Sequence, residues 1–258
     1  MQVFPLEIVV LPTLLDNYCY LLHDKLSGST AVVDPGEAVA VEVALAKRQW
    51  KLTHILNTHH HPDHINGNLI LKKNYNAILI GPKAEINRIP NLDITLVEGS
   101  TYNFAGHIVS ILDTPGHTSG HISLYLADSQ VLFTGDTLFS LGCGKMFEGT
   151  AAQFLDSLLK LSKLPDSTKI YCGHEYTSSN ARFALSIDYN NAALKKRSKE
   201  VHELLAKNQP TVPSVLNLEK ATNPFLRVKE PTIALALDRP GADPVEIFAD
   251  LRKRKDNF

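Results

Sequence analysis

Short apolar runs separated by Gly, Pro, Asn and Asp fill the first two thirds of the chain. Such runs, bounded by residues that favour turns, are typical of β-strands. The predicted strands are residues 7–10, 19–22, 30–33, 54–57, 77–80, 108–112, 130–134 and 169–172. Two segments repeat apolar residues at helical spacing instead, which predicts helices over residues 38–49 and 151–163.

The pattern changes in the last third of the chain, where the apolar repeats become longer and helical. The predicted helices there are residues 178–187, 191–207 and 244–255. An α/β pattern followed by a helical pattern indicates two domains. We therefore predict an α/β domain over residues 1–173 and a helical domain over residues 174–258.

The charge balance restricts the partners of the protein. Its 26 basic and 27 acidic residues give a net charge of −1, which argues against bulk attraction to nucleic acid or an anionic membrane. The three cysteines are too few and too scattered for a disulfide framework, as expected in a reducing compartment. The N-terminal segment has no positively charged leader, and the other apolar runs are shorter than the ~18 residues of a membrane span. We therefore expect a cytoplasmic protein with no nucleic-acid or membrane partner.

The sharpest chemical signal is the segment THHHPDH at residues 58–64, directly after a predicted strand. Alternate residues of an extended segment project to one side, so His59 and His61 can bind one ion together. The proline that follows suits the first turn of a helix, in which Asp63 and His64 can face the same space. Because the whole chain has only 11 His, such a cluster arises rarely by chance.

Three further ligand-type residues each follow a predicted strand and lie beside or close to a glycine. They are His117, Asp136 and His174. A glycine at a strand end lets the backbone and a ligand approach closely, so a sheet can present a site there. Each residue alone is a weak signal, but their coincidence with the first cluster favours a shared metal site.

The candidate ligands comprise five imidazoles and two carboxylates: His59, His61, Asp63, His64, His117, Asp136 and His174. A catalytic zinc usually takes about three protein ligands, so this set is too large for one ion and implies two. The absence of cysteine from the set argues against a closed structural zinc site. Two cations ~3.5 to 4 Å apart can share a hydroxide, lower the pKa of its parent water and polarise a carbonyl. The predicted chemistry is hydrolysis near neutral pH.

Other polar residues near these motifs receive structural interpretations. His60 should point away from its two neighbours because of strand alternation. His121 either orients a metal ligand or simply begins a strand. Buried packing is the preferred interpretation of Cys143 and Cys172, rather than a role as nucleophile or ligand.

At residues 58–64 the chain resembles the metallo-β-lactamase superfamily, whose HxHxDH signature it matches. The resemblance is closer to one member family, glyoxalase II or hydroxyacylglutathione hydrolase, and it runs over essentially the whole chain. The matching motifs are LDNY at 15–18, TPGHT at 114–118, FTGDTLF at 133–139, GCGK at 142–145, FEGT at 147–150, GHEYT at 173–177, NPFLR at 223–227 and RKDNF at 254–258. These motifs are far more specific than the superfamily signature.

The resemblance implies an αββα sandwich followed by a helical domain, with a dinuclear site at the edge between two sheets. The implied ligands are His59, His61 and His117 for one ion, Asp63, His64 and His174 for the other, and Asp136 as the bridge. Zinc is the usual assignment in the family, and iron or manganese is also accepted, since ligands of this kind do not choose among them. The resemblance also implies a monomer.

The reaction implied by the family is hydrolysis of the thioester S-D-lactoylglutathione to D-lactate and glutathione, the second step of methylglyoxal detoxification. A hydroxide bridging the ions, oriented by Asp63, attacks the thioester carbonyl. The carboxylates of glutathione require cationic donors. The matching positions for glutathione binding are Lys145, Tyr176, Arg252 and Lys255. Phe147 stands where some relatives carry tyrosine, which removes one hydroxyl contact.

Alternatives remain open at this point. Persulfide dioxygenases share much of the metal signature but use a single iron, and other relatives cleave lactams or nucleic-acid phosphodiesters. The helical tail with its RKDNF ending favours glyoxalase II. A metal-buffering or nucleic-acid-binding module is an alternative of another class, although the net charge and the single Trp50 disfavour a nucleic-acid platform. A solvated basic helix end is the alternative for Arg252 and Lys255.

Overall fold

The computed structural model describes residues 6–258, which form two compact units. The first unit contains the residues up to Asp113 together with Gly120–Gly135. The second contains Thr114–Ser119 together with Asp136–Phe258. These two units are defined by which residues contact one another. The boundary predicted at residue 173 rests instead on the change from an α/β to a helical sequence pattern, and it stays a prediction.

The first unit begins with a sheet whose strands lie in the order of the chain. They are β1 (Glu7–Thr13), β2 (Asn17–His23), β3 (Ser29–Val33), β4 (Lys51–Leu56), β5 (Ile78–Pro82) and β6 (Ile94–Leu96). The first three pair antiparallel, and β3 to β6 pair parallel. Parallel neighbours require crossover connections. These connections contain α1 (Val39–Arg48), α2 (Pro62–Ile65) and α3 (Asn68–Tyr75), with a short 3₁₀ turn at Lys83–Glu85.

An aliphatic core supports this sheet. Leu21, Val32 and Ile55 are fully buried and pack in one cluster with Val41 and Leu45 of α1. Burying each such side chain contributes ~1.5 to 3 kcal/mol. The residues that follow β4 therefore start from a well-anchored strand.

The remaining strands of the first unit pair antiparallel in chain order. They are β7 (Thr101–Phe104), β8 (His107–Asp113), β9 (Ile122–Leu126) and β10 (Val131–Gly135). The sequence did not predict β7 or β9. In β9 the polar Ser123 is as buried as its apolar neighbours, so burial does not follow polarity there.

The second unit is mostly helical. Its strands are β11 (Leu138–Phe139), β12 (Gly142–Cys143), β13 (Lys169–Cys172) and β14 (Ser214–Val215), with β11 antiparallel to β12 and β13 antiparallel to β14. Its helices are α4 (Ala151–Ser162), α5 (Thr177–Ile187), α6 (Ala192–Ala206), α7 (Leu216–Thr222), α8 (Pro231–Ala236) and α9 (Pro244–Asp256). A reciprocal capping box between Thr150 and Gln153 begins α4.

A chain of aromatic contacts holds α9 in the second unit. Phe248 of α9 packs against Phe154 of α4 at 5.7 Å and against Phe225 at 5.8 Å between ring centroids. Phe183 of α5 continues the chain, 6.0 Å from Phe225 and 5.5 Å from Phe258. Such aromatic contacts contribute ~0.5 to 1.5 kcal/mol each beyond the area that they bury. The helix that carries two candidate substrate-binding residues is thus firmly packed.

The elements predicted from the sequence are present with bounds shifted by a few residues, so the α/β prediction with a helical tail is confirmed. Across residues 6–258, no helix combines the length and the apolar character needed to cross a membrane.

Candidate metal centre

The first cluster of candidate ligands comprises His59 and His61 between β4 and α2 of the first unit, and Asp63 and His64 in α2 itself. His61 is extended (φ −60°, ψ 143°), and the helix begins at the proline after it. The chain therefore turns after His61. The ring centroid of His59 lies 4.8 Å from that of His61 and 4.2 Å from that of His64. The structure thus brings these three imidazoles together, as the spacing predicted.

A buried carboxylate that the sequence did not single out supports this cluster. Asp34 directly follows β3 with φ of 51°, a left-handed conformation that few residues other than glycine adopt. Its Oδ1 accepts a hydrogen bond from the backbone N–H of Thr58 at 2.8 Å, and its Oδ2 accepts one from the Thr58 hydroxyl at 2.7 Å. The same Oδ2 lies 3.1 Å from His64 Nδ1. One side chain therefore fixes the start of the metal-binding segment and one of its rings.

These contacts assign the protons of two imidazoles. A carboxylate only accepts, so His64 Nδ1 carries the proton that it donates to Asp34. The Thr58 hydroxyl gives its own proton to Asp34, so its oxygen accepts from His59 Nδ1 at 3.0 Å. When neutral, both rings then present an unprotonated Nε2. That is the tautomer a metal-binding histidine needs, with the other nitrogen hydrogen-bonded to a supporting group.

Asp63 is held at both its backbone and its side chain. Asn17 Nδ2 donates to Asp63 Oδ2 at 2.8 Å and to the Asp63 carbonyl oxygen at 3.2 Å. A Cβ at Gly36 would lie 2.0 Å from that carbonyl oxygen, so only glycine fits there. The Asp63 side chain remains 38% exposed. It is therefore oriented yet accessible to a water molecule.

Two other histidines of the first unit take different roles. His60 Nδ1 lies 2.7 Å from Glu85 Oε2, a contact that fits the structural interpretation made from strand alternation. The ring of the fully buried His121 stacks on that of His59, with 4.9 Å between centroids. Gly135, at φ 45°, leaves room for this arrangement because a Cβ there would lie 2.7 Å from His121 Nε2.

The second unit contains the other three candidate ligands, which come from separate segments. His117, Asp136 and His174 are each about 95% buried. His117 Nε2 and His174 Nε2 both lie 3.3 Å from Asp136 Oδ2. The structure therefore gathers two imidazoles around a single carboxylate oxygen.

A backbone carbonyl assigns the proton of His117. Its Nδ1 lies 2.8 Å from the carbonyl oxygen of Lys145, which can only accept, so Nδ1 carries the proton. In a neutral ring Nε2 is then unprotonated and faces a carboxylate oxygen at 3.3 Å, and two electron-rich atoms so close repel each other unless a positive charge lies beside them. A divalent cation supplies such a charge, as does a second proton on the ring. Nitrogen and oxygen donors of this kind suit zinc, iron or manganese, so the residues fit the metal that the sequence implied.

Close packing fixes the other side of this cluster. The Tyr176 ring stacks on the His174 ring with 4.7 Å between centroids and 5° between planes, and Phe139 packs edge-on against both. A Cβ at Gly144 would lie 1.9 Å from the Asp136 carbonyl oxygen. Glycine is thus required where the backbone passes this ligand.

The predicted glutathione-binding residues differ in their exposure. Lys145 is exposed, and its Nζ lies 5.4 Å from the centroid of the exposed Phe147 ring. Tyr176 is 38% exposed. Lys255 is half-buried and donates to Ser179 Oγ at 2.9 Å. Burial lowers the pKa of Lys255, as do the cations of neighbouring arginines. These side chains are accessible to a ligand.

Arg252 is 95% buried, unlike the other predicted substrate-binding residues. Its Nη1 donates to the carbonyl oxygens of Cys143 at 2.8 Å and Gly144 at 3.2 Å. The sequence assigned it to glutathione together with Lys255, and that assignment stays a prediction.

The cysteines fit their structural interpretation. Burial raises the pKa of Cys143 to about 11 and that of Cys172 to about 12. At neutral pH both are therefore thiols, and a thiol is a poor nucleophile and a poor metal ligand.

Comparisons with known proteins define the class of this protein. The model of the metallo-beta-lactamase superfamily matches residues 12–174, and the model of the hydroxyacylglutathione hydrolase C-terminus matches residues 175–258. A metallo-beta-lactamase from Staphylococcus aureus has a TM-score of 0.68 at 21% identity, covering 98% of this chain and 72% of that chain. The chain therefore has the metallo-β-lactamase fold with a helical C-terminal region, and its superfamily implies divalent metal binding.

Full-length relatives then define the family. A hydroxyacylglutathione hydrolase of Ruegeria pomeroyi is 50% identical over 254 residues, covering 98% of this chain and 100% of the relative. The hydroxyacylglutathione hydrolase of Methylococcus capsulatus is 49% identical over 253 residues, covering 98% of this chain and 99% of the relative. The chain belongs to the hydroxyacylglutathione hydrolase family, so the family resemblance noted in the sequence is confirmed.

Proposed function

We propose that this protein hydrolyses S-D-lactoylglutathione to D-lactate and glutathione, the second step of methylglyoxal detoxification. The observation that carries the proposal is the identity of about half of all residues with hydroxyacylglutathione hydrolases over 98% of the chain. The imidazole and carboxylate clusters of both units support it, since they contain the donors that metal-assisted hydrolysis requires.

The ligand sets implied by the family remain our proposal for this chain. They are His59, His61 and His117 for one ion, Asp63, His64 and His174 for a second, and Asp136 for both. Zinc is the proposed metal, with iron or manganese as the other choices. The contacts of three of the histidines support this proposal, because in each ring Nδ1 faces a supporting group and Nε2 is left for an ion. When bound, such ions would make water more acidic and polarise the thioester carbonyl.

The side chains of the protein then orient the reacting groups and accept a proton. Asp63, held by Asn17, orients the attacking water, accepts its proton and releases that proton to solvent before the next turnover. The new carbon–oxygen bond forms at the thioester carbonyl, the carbon–sulfur bond breaks, and glutathione leaves as a thiolate that is protonated in solvent. Asp136 would hold a bound cation together with two imidazoles, since both Nε2 atoms lie 3.3 Å from its Oδ2. No nucleophilic side chain is required, which agrees with the high pKa of the buried cysteines.

Glutathione binding is assigned to Lys145, Tyr176, Arg252 and Lys255, as the sequence implied. Lysine and arginine suit the two carboxylates of the tripeptide, and the tyrosine hydroxyl adds a neutral donor. We propose that residues 174–258 serve as the substrate-binding domain behind a metal-binding domain of residues 1–173. The two family models support this division, because they meet between residues 174 and 175.

We further propose that the protein acts in the cytoplasm as a monomer on this small substrate, without nucleic-acid or membrane partners. The free cysteines found in the structure suit a reducing compartment. A net charge near zero gives no bulk attraction to polyanions.

Thiol release from S-D-lactoylglutathione by the purified protein tests the function. We expect release that disappears after the metal is removed with a chelator and returns when zinc is added. A mock-treated sample is the control, and oxygen uptake is recorded in parallel. Absence of thiol release, or full activity after complete metal removal, would contradict the proposal, and oxygen uptake would indicate a dioxygenase instead.

A further inference from the structure

Glu85 is a fully buried carboxylate of the first unit, at the end of the 3₁₀ turn that follows β5. His60 Nδ1 lies 2.7 Å from its Oε2, and the Gly120 N–H donates to its Oε1 at 3.1 Å. Arg88 Nη1 lies 3.5 Å from the same Oε2. A carboxylate can only accept, so the His60 ring donates to it through Nδ1. Hydrogen bonds and a neighbouring cation are what a buried charge requires.

The backbone of Glu85 is anchored in the first sheet. Its carbonyl oxygen accepts hydrogen bonds from the N–H groups of Arg88 at 2.8 Å and Ile89 at 2.9 Å. Ile89 is fully buried in the aliphatic core that supports this sheet. The carboxylate therefore projects from a fixed point of the fold and can hold its partners in a constant place.

Gly120, one partner of this carboxylate, begins a segment that runs beside the metal-binding segment. The next residue, His121, stacks its ring on that of His59 with 4.9 Å between centroids. The Ile122 N–H then donates to the Thr58 carbonyl oxygen at 3.0 Å. Residues 120–122 therefore lie against the start of the metal-binding segment.

Glu85 and Gly120 are in such close contact that only glycine fits at the second position. A Cβ at Gly120 would lie 2.8 Å from Glu85 Cγ and 2.9 Å from Ala84 Cβ. Both atoms lie close to the backbone, so they cannot easily yield. The glutamate thus fixes the chain immediately before His121.

His60, another partner of the carboxylate, is the middle residue of three consecutive histidines. Its neighbours on both sides are candidate metal ligands. Asp34 holds the start of this segment and Asn17 holds its end. Glu85 holds the middle, because a ring fixed through Nδ1 restrains the backbone from which both ligands project.

We propose that Glu85 is a positioning residue of the metal centre: by joining His60 to Gly120 through one carboxylate, it sets the places of the His59 and His61 rings. The proposal rests on the proposed function, because it takes these two histidines as metal ligands. Residues that support ligands without binding the metal commonly determine metal affinity. Glu85 itself contacts neither the metal nor the substrate.

Two substitutions in the full-length protein break this connection from its opposite ends. E85M removes the carboxylate but keeps an unbranched side chain, and H60F keeps an aromatic ring but removes the donor. E203M and H202F, the same changes at exposed positions of α6, are the matched controls. The readouts are the dissociation constant for zinc, the visible absorption spectrum of the cobalt-substituted protein without substrate, and the urea concentration at which the metal-free protein unfolds.

We expect E85M to weaken zinc binding ~10- to 100-fold relative to E203M and to change the cobalt spectrum, as for other residues that orient metal ligands. H60F should act in the same direction when it is compared with H202F. A merely structural role predicts a different result, in which E85M unfolds at a lower urea concentration while its zinc affinity and spectrum stay as in E203M. That result would overturn the proposal.

The double variant H60F/E85M tests whether the two residues act together. Each single substitution already breaks the connection, so the loss of zinc affinity in the double variant should be much smaller than the product of the two single losses. Losses that multiply would show that Glu85 acts independently of His60, which also contradicts the proposal.

E85Q is the conservative variant. Its amide oxygen can accept from the Gly120 N–H, and its NH₂ group can donate to His60 Nδ1 once that ring carries its proton on Nε2. We therefore expect E85Q to recover most of the zinc affinity that E85M loses. A loss in E85Q as large as that in E85M would show that the charge matters rather than the connection, and the proposal would fail.

If E85M does not fold, H60F decides the question, because the His60 side chain lies nearer the surface, at 18% exposure. Zinc affinity and a cobalt spectrum equal to those of H202F would then overturn the proposal. A wild-type protein that binds zinc but releases no thiol from S-D-lactoylglutathione would contradict the proposed function alone, since none of these readouts requires substrate.

Discussion

The two ligand clusters are built in different ways. In the first unit, the candidate ligands come from one segment of six residues, and a single buried carboxylate, Asp34, holds both its start and one of its rings. In the second unit, His117, Asp136 and His174 come from three separate segments. A backbone carbonyl fixes one of these rings, and a stacked tyrosine fixes another.

The difference shows how each cluster depends on the rest of the protein. A contiguous ligand motif can be held by a single side chain, and the Asp34 carboxylate holds this one through three hydrogen bonds. A dispersed cluster needs the correct packing of every segment that contributes to it. We therefore expect the second cluster to be sensitive to substitutions far from it in sequence.

The largest expected effect is that of Asp136→Asn. It removes the negative charge shared by two imidazoles, so metal content and turnover should fall together, by more than the ~10- to 100-fold typical of a supporting residue. Metal analysis by mass spectrometry and thiol release measure both. The control is Asp128→Asn, the same change at an exposed carboxylate. A fully metallated and active Asp136→Asn protein would refute its role as the shared ligand.

Asp34→Asn tests the support of the first cluster. The amide group can no longer accept from both Thr58 and His64, so two rings lose their orientation. We expect metal affinity to fall ~10- to 100-fold and the protein to lose ~1 to 3 kcal/mol of stability. Metal titration and urea unfolding check this, and Thr58→Val should give a smaller loss because it frees only His59. Equal metal affinity in Asp34→Asn and wild type would show that the motif needs no support.

Two substitutions of Tyr176 distinguish its stacking on His174 from its proposed contact with glutathione. Tyr176→Phe keeps the ring on His174 but removes the hydroxyl, so KM should rise ~3- to 10-fold with metal binding unchanged. Tyr176→Ala removes both and should also weaken metal binding. Steady-state kinetics and zinc titration of the two variants make the comparison. If both variants behave alike in zinc binding, stacking does not hold His174.

The smallest expected effect concerns pH. Burial lowers the pKa of His54 in the first unit, so as the pH falls the unfolded protein binds a proton at this histidine before the folded protein does. The contribution of neutral His54 to stability is therefore lost as the pH falls below about 6.5. Burial raises the pKa of Glu219 in the second unit, so the contribution of protonated Glu219 to stability is lost as the pH rises through its pKa in the folded protein. Amide exchange in β4 should accelerate relative to α7 between pH 7 and pH 5. His54→Phe should reduce that difference, and an unchanged difference would exclude His54 as its source.

Much of the fold and site follows from the sequence because local pattern determines it. The longer helices and the strands with strong apolar runs were predicted, as was the convergence of His59, His61 and His64. Short elements such as β7 and α3 were missed, since four polar-rich residues or two helical turns carry little periodicity. The dispersed ligands of the second unit were singled out by their positions after predicted strands and near glycines, and family resemblance supplied their division between two ions.

Asp34 shows what kind of residue sequence inspection misses. In the sequence it begins the run Asp34-Pro35-Gly36, which is typical of a turn before the helix predicted over residues 38–49. Yet it obeys the rule that identified Asp136, an acidic residue at the end of a buried strand and close to a glycine. The hydrogen bonds that give it a role reach Thr58 and His64, which lie 24 and 30 residues further along. Only tertiary structure reveals such partners.

The backbone of Asp34 has a consequence for engineering. An L-residue other than glycine in this left-handed conformation costs ~1 kcal/mol or more, so Asp34→Gly would relax the chain while deleting the carboxylate. The three buried hydrogen bonds of the carboxylate outweigh this relief, so Asp34→Gly should lower stability as well as metal affinity. Directed evolution that selects only for heat tolerance would therefore also preserve the support of the metal site at this position.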